Sequence, residues 1–347
     1  MAAAQPLSSL LHAGDSDEPW RRALRARADH RAGDATSQSQ YELCARGESS
    51  TAHQRMALLA KKVETVPRLA PWQSYVKWLE SAGARVVTLS YHATDAEVDS
   101  VFDQVNGALL SGGDAGTPGA VRRLYQRAVS AHAGGDSFPI WGTCAGYEWL
   151  MQTAADDDKV LTGGFDSENI SLPLNLTSAA ATSRLFADAA IMPVLSTSPR
   201  LSVLSALSTL PLTLNNHKMA VSPRDFARSS LPKAFDVLAT NVDRKGNAFV
   251  SVVEGRSGLP VWGTQFHPEK NIFVQGTSKY GTPYEHIAHD AAAVEVSQYM
   301  ANFLVAQARA STHAVASAEW LAERLIWRST TSTKYAPAFV QIYMFED

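Results

Sequence analysis

The chain has 347 residues, a formal net charge of −3 and 45% hydrophobic residues. This length and apolar content suffice for one large α/β unit or two modest domains. The near-neutral charge gives no electrostatic basis for binding nucleic acid, and no apolar stretch approaches the length that spans a bilayer. The two cysteines, Cys44 and Cys144, are too few for a disulfide framework, so we expect a reduced pair.

The first 70 residues differ in character from the rest of the chain. Residues 1–20 contain a short apolar patch without a basic flank, which makes a poor signal peptide. Two glycosylation sequons, at Asn169 and Asn175, favour a secretory route instead. We expect residues 1–70 to form a divergent, poorly ordered N-terminal extension and residues 71–347 to form a single domain.

Strands and helices are predicted to alternate from residue 71 to residue 142. The pattern predicts, in order, a helix between Pro71 and Gly83, a strand in ARVVTLS, a helix opened by a capping box of Thr94 and Glu97, a strand in GALLSGG, a helix from Pro118 to His132 and a strand in FPIWG. Such alternation indicates a parallel sheet covered by helices on both faces.

The second half of the chain has a different pattern. Residues 155–232 are rich in Ser, Thr, Asp and Pro, and they predict loops and short helices. The runs FDVLAT, AFVSVV and PVWGTQF are separated by turn signals and predict an antiparallel meander. An Ala-rich helix is expected around residues 286–310, with Ile287, Val294 and Phe303 facing inward. The predicted fold class is α/β, with a mostly parallel central sheet and an antiparallel meander.

The stretch FPIWGTCAGYEWL places Cys144 in a Gly-x-Cys-x-Gly turn between a predicted strand and a predicted helix. Such a turn holds a nucleophile in a strained conformation at the carboxyl end of the sheet. The free N–H groups of the following helix favour the thiolate form. The alternative is that Cys144 is a small buried apolar residue, as most free cysteines are.

A thiolate nucleophile needs a base and a group that orients the base. In VWGTQFHPEK, His267 and Glu269 alternate at the end of a predicted strand, so their side chains project to the same side. The carboxylate can accept from one imidazole nitrogen while the other faces a thiol. Gly112 and Gly113 end another strand, and their N–H groups with that of Ala145 would form an oxyanion hole. An ordinary strand-end histidine and a plain Gly-Gly turn remain alternatives.

These motifs occur in the order that is typical of one family. The chain resembles the γ-glutamyl hydrolases, which are folate poly-γ-glutamate hydrolases within the class I glutamine amidotransferase-like group. The resemblance extends from about Tyr75 to the C-terminus and rests on SYVKWLESAGARVV, GALLSGG, FPIWGTCAGYEWL, LTLNNHKMAVSP, TNVDRKGNAFVSVVEG, PVWGTQFHPEKN and PAFVQIYMF. It implies a flavodoxin-like three-layer α/β/α sandwich.

The resemblance also implies roles for individual residues. Cys144 is the nucleophile, His267 is its general base and acid, and Glu269 is the third member of the catalytic group. The residues assigned to substrate binding are Glu148, His217, Gln265 and Lys218, with Lys270 as a further basic candidate. At the position of Glu148, glutamine amidotransferases usually carry Gln. His217 has a structural alternative, as a loop histidine that is bonded to the backbone.

The implied reaction is hydrolysis of γ-linked amide bonds in folate or antifolate poly-γ-glutamates through a γ-glutamyl thioester. This omega-peptidase activity needs no metal and no organic cofactor. The expected partner is the small-molecule substrate, with no nucleic acid and no membrane, and the family implies a homodimer. It also implies a lysosomal, vacuolar or secreted protein. Two alternatives remain open: a glutaminase-type amidotransferase subunit, and a catalytically silent relative that only binds folate polyglutamates.

The chain departs from the family pattern in two places. Ser111 stands where the family usually has Pro before the glycine pair. The family begins its domain with an apolar strand inside the sheet, and residues 35–70 contain no clear equivalent. Within them, RMALLAKKV predicts a helix, and YELCA at residues 41–45 is the only remaining candidate for a strand. The sequence therefore predicts a weak or missing first strand.

Overall fold

The structure, a computed structural model, describes residues 55–60, 73–113, 116–278, 280–333 and 340–344. All of them belong to one compact unit, His53–Asp347. Cys44, YELCA and most of the predicted extension lie outside the described residues, so the division after residue 70 stays a prediction. No helix in the described ranges has the length and apolar character needed to cross a membrane.

The described residues form α-helices and β-strands that alternate through the first half of the unit. The strands are β1 (Arg55–Ala60), β2 (Arg85–Ser90), β3 (Gly107–Leu110), β4 (Ile140–Thr143), β5 (Thr162–Leu172), β6 (Asn175–Leu176), β7 (Pro193–Val194), β8 (Leu201–Ser202), β9 (Thr213–Ala220), β10 (Phe235–Val242), β11 (Ala248–Gly255), β12 (Val261–Thr264), β13 (Thr330–Ser332) and β14 (Ile342–Met344). The helices are α1 (Gln73–Ser81), α2 (Asp95–Phe102), α3 (Gly119–Ala133), α4 (Ala145–Ala155), α5 (Arg184–Ala187), α6 (Val203–Thr209), α7 (Pro223–Arg228), α8 (Leu231–Ala234), α9 (Lys270–Phe273), α10 (Ala291–Ala308) and α11 (Ala318–Arg324).

The central sheet has eight strands in the order β2-β1-β3-β4-β12-β11-β10-β6. The first five are parallel to one another, and the last three continue the sheet in antiparallel pairs. The strand order at the start of the sheet is that of flavodoxin-like folds. The predicted α/β class, the parallel sheet and the antiparallel meander are therefore confirmed.

Helices cover both faces of the sheet. One core contains the apolar sides of α1, α6 and α10, with Trp78 and Trp262 among its largest buried side chains. The other core contains α2, α3 and α4. Alternate residues of β1 supply both cores, since Met56 and Leu58 belong to the first while Ala57 and Leu59 belong to the second. The result is a three-layer α/β/α sandwich.

The first strand is present, and the prediction of a helix in RMALLAKKV is wrong for residues 55–60. They form β1, which lies inside the sheet with β2 on one side and β3 on the other. A parallel strand buried on both faces is apolar without alternation, and Met, Ala and Leu also favour helices. The hydroxyl of Ser111, the residue at the family's usual Pro position, donates to Leu59 O at 3.0 Å and ties β3 to β1.

Two further predictions need correction. Residues 155–232 contain a two-stranded antiparallel sheet of β5 and β9, which are separated by about 40 residues of chain. Its irregular register around Ser167 disrupts the alternation of apolar and polar residues that would have predicted the strands. Helix α10 buries the side that includes Val296, Met300 and Leu304. Phe303 is half-buried and packs edge-on against Trp262, as expected, whereas Val294 is only half-buried and Ile287 precedes the helix. The capping box of Thr94 and Glu97 is confirmed at the start of α2.

Candidate active site

Cys144 lies in a sharp turn between β4 and α4. Its φ of 53° and ψ of −114° are unusual for a residue with a side chain and indicate local backbone strain. A methyl group at Gly146 would overlap the carbonyl oxygen of Leu110, and one at Gly142 would lie 2.6 Å from the carbonyl oxygen of Gly146. The two glycines are therefore required for strand and helix to approach this closely. The predicted nucleophile elbow is present in the fold.

His267 and Glu269 form a buried pair next to Cys144. The distance from His267 Nδ1 to Glu269 Oε1 is 2.9 Å. Because a carboxylate only accepts, Nδ1 carries the proton and Nε2 is left as an acceptor, which is the form that a general base needs. A Cβ built on Gly112 would lie 3.1 Å from His267 Cε1 and 3.4 Å from Cys144 Cβ. The imidazole and the cysteine therefore border the same small space.

These residues meet because their strands are neighbours. Gly112 follows β3, Cys144 follows β4 and His267 follows β12, and the three strands are adjacent and parallel. The carboxyl ends of parallel strands lie at one edge of the sheet, where α/β proteins place their sites. The topology alone thus brings the nucleophile, the base and the Gly-Gly turn together.

Tyr75 on α1 is a further member of this group. Its hydroxyl accepts from the Gly112 N–H at 2.9 Å and lies 3.3 Å from His267 Nδ1. Burial, and next the charges of Glu269 and Cys144, raise the pKa of the phenol well above its usual value. Tyr75 therefore stays neutral and links α1 both to the end of β3 and to the histidine. No pattern in the sequence predicted that Tyr75 would belong to the site.

The thiol of Cys144 is not poised as a thiolate, which corrects the expectation drawn from the helix N-terminus. Its side chain is buried, and burial raises the pKa of the thiol well above its usual value. The charge of Glu148 raises it further, while Lys270 and the Ala145 N–H lower it. Desolvation outweighs the helix terminus here. Attack by Cys144 therefore requires that a base remove its proton.

Glu148 and Gln265 form a hydrogen-bonded pair near the cysteine. Gln265 Nε2 donates to Glu148 Oε1 at 2.9 Å, and Gln265 is completely buried. Burial raises the pKa of Glu148 to about 7, and the hydrogen bond from Gln265 opposes this rise only in part. The carboxyl thus changes its charge near neutral pH, and its charge in turn acts on the Cys144 thiol.

His217 is buried in β9 as a neutral ring. Its Nδ1 lies 2.9 Å from the Met219 carbonyl oxygen, and its Nε2 lies 3.3 Å from Asn215 Oδ1. Burial lowers the pKa of His217 to about 4, and the nearby charge of His267 lowers it further. The ring also packs edge-on against Phe249. His217 is therefore bonded to the backbone, as in its structural alternative, and it also lies within electrostatic reach of His267.

The two lysines differ in their surroundings. Lys218 is 70% exposed and pairs with Glu168 at 3.2 Å. Lys270 is buried and pairs with Glu285. A cavity of about 410 Å³ lies beside them, and its wall includes Ser74, Asn216 and Lys270, each the immediate sequence neighbour of a site residue described above. Lys270 thus faces the cavity while its charge acts on Cys144.

Comparisons with known proteins identify the family. A family model described as glutamine amidotransferase class-I matches residues 72–282. The γ-glutamyl hydrolase of Mus musculus is 35% identical over 280 residues, which cover 79% of this chain and 82% of the relative. The γ-glutamyl hydrolase of Homo sapiens is 34% identical over 285 residues, with the same two coverages of 79% and 82%. γ-Glutamyl hydrolase B of Dictyostelium discoideum is 34% identical over 285 residues, covering 78% of this chain and 76% of the relative.

The chain belongs to the γ-glutamyl hydrolase family. In this γ-glutamyl hydrolase homologue, Ala145 is the first residue of α4. Its backbone N–H interacts with the Cys144 sulfur and lowers the pKa of the thiol. Gly113 is exposed at the end of the Gly-Gly turn, whereas the Gly112 N–H is already donated to Tyr75. Among the described residues, no group of three or more His, Cys, Asp or Glu side chains has the arrangement of a metal site.

Two contacts in the site were not predictable from the residue pattern. Tyr75 contacts the Gly-Gly turn across a sequence separation of 37 residues, and Lys270 meets Glu285 across 15. Neither contact has a local signature, because each depends on how α1 and the segment before α10 pack against the sheet edge. The only sequence signal was the presence of both residues within the stretches that resemble the family.

Proposed function

We propose that this protein hydrolyses γ-linked amide bonds in folate poly-γ-glutamates, with Cys144 as nucleophile, His267 as general base and acid, and Glu269 as the group that orients His267. The observation that carries this proposal is the shared space around Gly112, which is bordered by the elbow cysteine and by the imidazole held by Glu269. The names of the relatives support the substrate class.

The reaction begins with transfer of the Cys144 proton to His267 Nε2 while the sulfur attacks the γ-carbonyl carbon. The raised pKa of the thiol makes this transfer necessary. The tetrahedral intermediate collapses when the imidazolium gives its proton to the departing amine, and a γ-glutamyl thioester remains. His267 then takes a proton from water as the water oxygen attacks the thioester carbon. The second tetrahedral intermediate collapses when the imidazolium returns this proton to the departing Cys144 sulfur, which releases the shortened folate and restores the free thiol. The Glu269 carboxylate stabilises the imidazolium in both halves.

The remaining predicted residues have supporting roles in this proposal. The N–H groups of Ala145 and Gly113 stabilise the oxyanion. Glu148 and Gln265 form one wall of the substrate site next to the cysteine, and His217 contributes from strand β9, which pairs with β5. Lys218 binds the anionic tail of the substrate from the exposed side of the cavity, where it now pairs with Glu168. No metal or organic cofactor takes part.

The experiment is a comparison of the wild-type chain with a Cys144→Ala variant of matching thermal stability. Each protein is incubated with pteroylpentaglutamate, and the products are separated by chromatography. Shortened folates from the wild type alone are the expected result. Absence of cleavage by folded wild-type protein would refute the proposal. Ligand-induced thermal stabilisation without cleavage would instead support the silent relative that only binds polyglutamates.

A glutaminase-type subunit is the remaining alternative, and free glutamine separates it from the hydrolase. The proposal expects no release of ammonia from glutamine, because Glu148 stands where glutamine amidotransferases usually carry Gln. Ammonia release that exceeds the rate on polyglutamate would favour the alternative. The proposal also includes a homodimer, which light scattering on the purified protein tests directly.

A further inference from the structure

A buried ion pair in the cavity wall forms a complete binding site for one carboxylate. Lys270 Nζ lies 2.6 and 2.8 Å from the two carboxylate oxygens of Glu285, and the lysine side chain is only 4% exposed. Asn216 Nδ2 donates to Glu285 Oε1 at 2.8 Å. Donors from β9 and from the start of α9 thus converge on a carboxylate that lines the cavity.

The carboxylate in this site is exchangeable on energetic grounds. Removing an ammonium and a carboxylate from water costs about as much free energy as their attraction returns, so such a pair adds little net stability. Losing one partner without replacement is strongly unfavourable, whereas exchange of one carboxylate for another leaves both donors satisfied. Glu285 belongs to no helix or strand, and its side chain can rotate away without disturbing the sheet.

A polar side chain in the same cavity has no hydrogen-bond partner among the described residues. Ser74 is 3% exposed and lines the cavity, and its Oγ makes no hydrogen bond within the part of the chain that the structure describes. A buried hydroxyl without a partner is unfavourable unless a ligand or water satisfies it. Ser74 therefore indicates that a polar ligand, rather than an apolar one, enters this cavity.

The carboxylate site is close to the nucleophile. Lys270 directly follows Glu269, whose carboxylate holds the His267 ring, and that ring and Cys144 both border Gly112. In agreement with this placement, the charge of Lys270 lowers the pKa of the Cys144 thiol. In a γ-glutamyl residue, three carbon atoms separate the α-carboxylate from the γ-carbonyl carbon. A substrate whose α-carboxylate is held by Lys270 can therefore present the γ-carbonyl of the same residue to Cys144.

We propose that Lys270 and Asn216 bind the α-carboxylate of the glutamyl residue whose γ-amide is cleaved, and that Glu285 occupies this subsite until substrate displaces it. The inference rests on the proposed function and adds a specificity determinant to it. Glu285 acts as an internal competitor for the subsite. The apparent affinity for substrate is therefore the intrinsic affinity multiplied by the fraction of molecules in which the subsite is open. Substrates without the α-carboxylate gain nothing from displacing Glu285.

The test measures binding, not turnover, in a Cys144→Ala background. The ligands are pteroyl-γ-diglutamate and an analogue in which a carboxamide replaces the α-carboxylate of the residue with the scissile γ-amide. Calorimetry gives Kd for each ligand with Cys144→Ala alone and with added Glu285→Gln. We expect Glu285→Gln to lower Kd for the acid about five- to tenfold, which corresponds to a subsite that Glu285 occupies in about 80–90% of wild-type molecules. Kd for the amide is expected to change less than about twofold.

Glu168→Gln is the matched control, because Glu168 is an acidic residue that lines the same cavity but pairs with exposed Lys218. It removes the same charge and is expected to change the ratio of the two Kd values less than about twofold, since exposed pairs contribute little. Asn216→Ala is a second variant, which retains the ion pair and is expected to weaken the preference for the acid.

Equal Kd values of acid and amide in all variants would overturn the proposal, as would absence of binding by the acid. An equal effect of Glu285→Gln and Glu168→Gln on Kd would also overturn the proposal, because the loss of one negative charge from the cavity would then explain both. Thermal unfolding of each variant shows that the binding-competent protein is folded. Because binding is measured in Cys144→Ala protein, the test does not depend on catalysis. Failure of the proposed function would be seen separately, as absence of cleavage by the wild-type protein.

Discussion

Replacing Glu148 by Gln is predicted to make the stability of the protein less dependent on pH. Burial raises the pKa of Glu148 from its usual 4.5 to about 7. Between these values the carboxyl ionises in the unfolded chain but not in the folded one, so wild-type stability falls as the pH rises through this window and the loss is complete above about pH 7. At about 1.4 kcal/mol per pH unit, the full shift corresponds to about 3.5 kcal/mol, and because the side chain retains some exposure we expect a loss of at most about 3 kcal/mol.

The Glu148→Gln side chain keeps the size of the original and can still accept from Gln265 Nε2. We compare the free energy of unfolding of Glu148→Gln with that of the wild type at two pH values. The variant minus wild-type difference is expected to be up to about 3 kcal/mol larger at pH 8 than at pH 4. Urea denaturation followed by tryptophan fluorescence measures this at both pH values. Glu97→Gln is a control of opposite sign, because hydrogen bonds from Thr94 lower the pKa of Glu97. A stability difference between Glu148→Gln and wild type that does not change with pH would refute the reasoning.

Three further predictions concern the geometry of the site. Glu269→Gln is expected to lower kcat about 10³- to 10⁴-fold, because an amide can no longer fix the proton on His267 Nδ1; steady-state kinetics measure this, and a loss below tenfold would contradict it. Tyr75→Phe leaves the buried Gly112 N–H without its acceptor and is expected to reduce the free energy of unfolding by about 1–3 kcal/mol; unchanged urea denaturation would argue against that contact. Gly146→Ala is expected to destabilise the fold by about 3 kcal/mol or more, because the new methyl group overlaps the Leu110 carbonyl. Gly116→Ala, which meets open space, is its control in thermal unfolding, and equal effects of the two would contradict the elbow packing.

The elements with clear local signals were predictable from the sequence. The capping box of α2, the strands β2 to β4 and the Gly-x-Cys-x-Gly turn depend on residues that are adjacent in the chain. The order of parallel strands then places Cys144 and His267 at one sheet edge, so the core of the site could also be anticipated. Propensity was misleading at β1, where Met56–Leu59 are buried on both faces and neighbours on both sides decide the conformation.

The electrostatics of the site could not be read from the chain. The helix N-terminus at Cys144 suggested a lowered thiol pKa, but only the folded structure shows that burial and Glu148 outweigh it. The ion pair of Lys270 and Glu285 likewise depends on the packing of an irregular segment against the sheet edge. Desolvation is a property of the whole fold, and sequence spacing carries little information about it.

The most direct test of the account is to trap the covalent intermediate on Cys144. Wild-type protein is mixed with pteroylpentaglutamate, quenched with acid in the millisecond range and digested, and the peptide that contains Cys144 is analysed by mass spectrometry. This peptide is expected to carry the mass of a pteroyl-γ-glutamyl thioester, and a folded Cys144→Ala variant is expected to show neither adduct nor cleavage. Cleavage of polyglutamate by that variant at the wild-type rate would contradict the central role of Cys144.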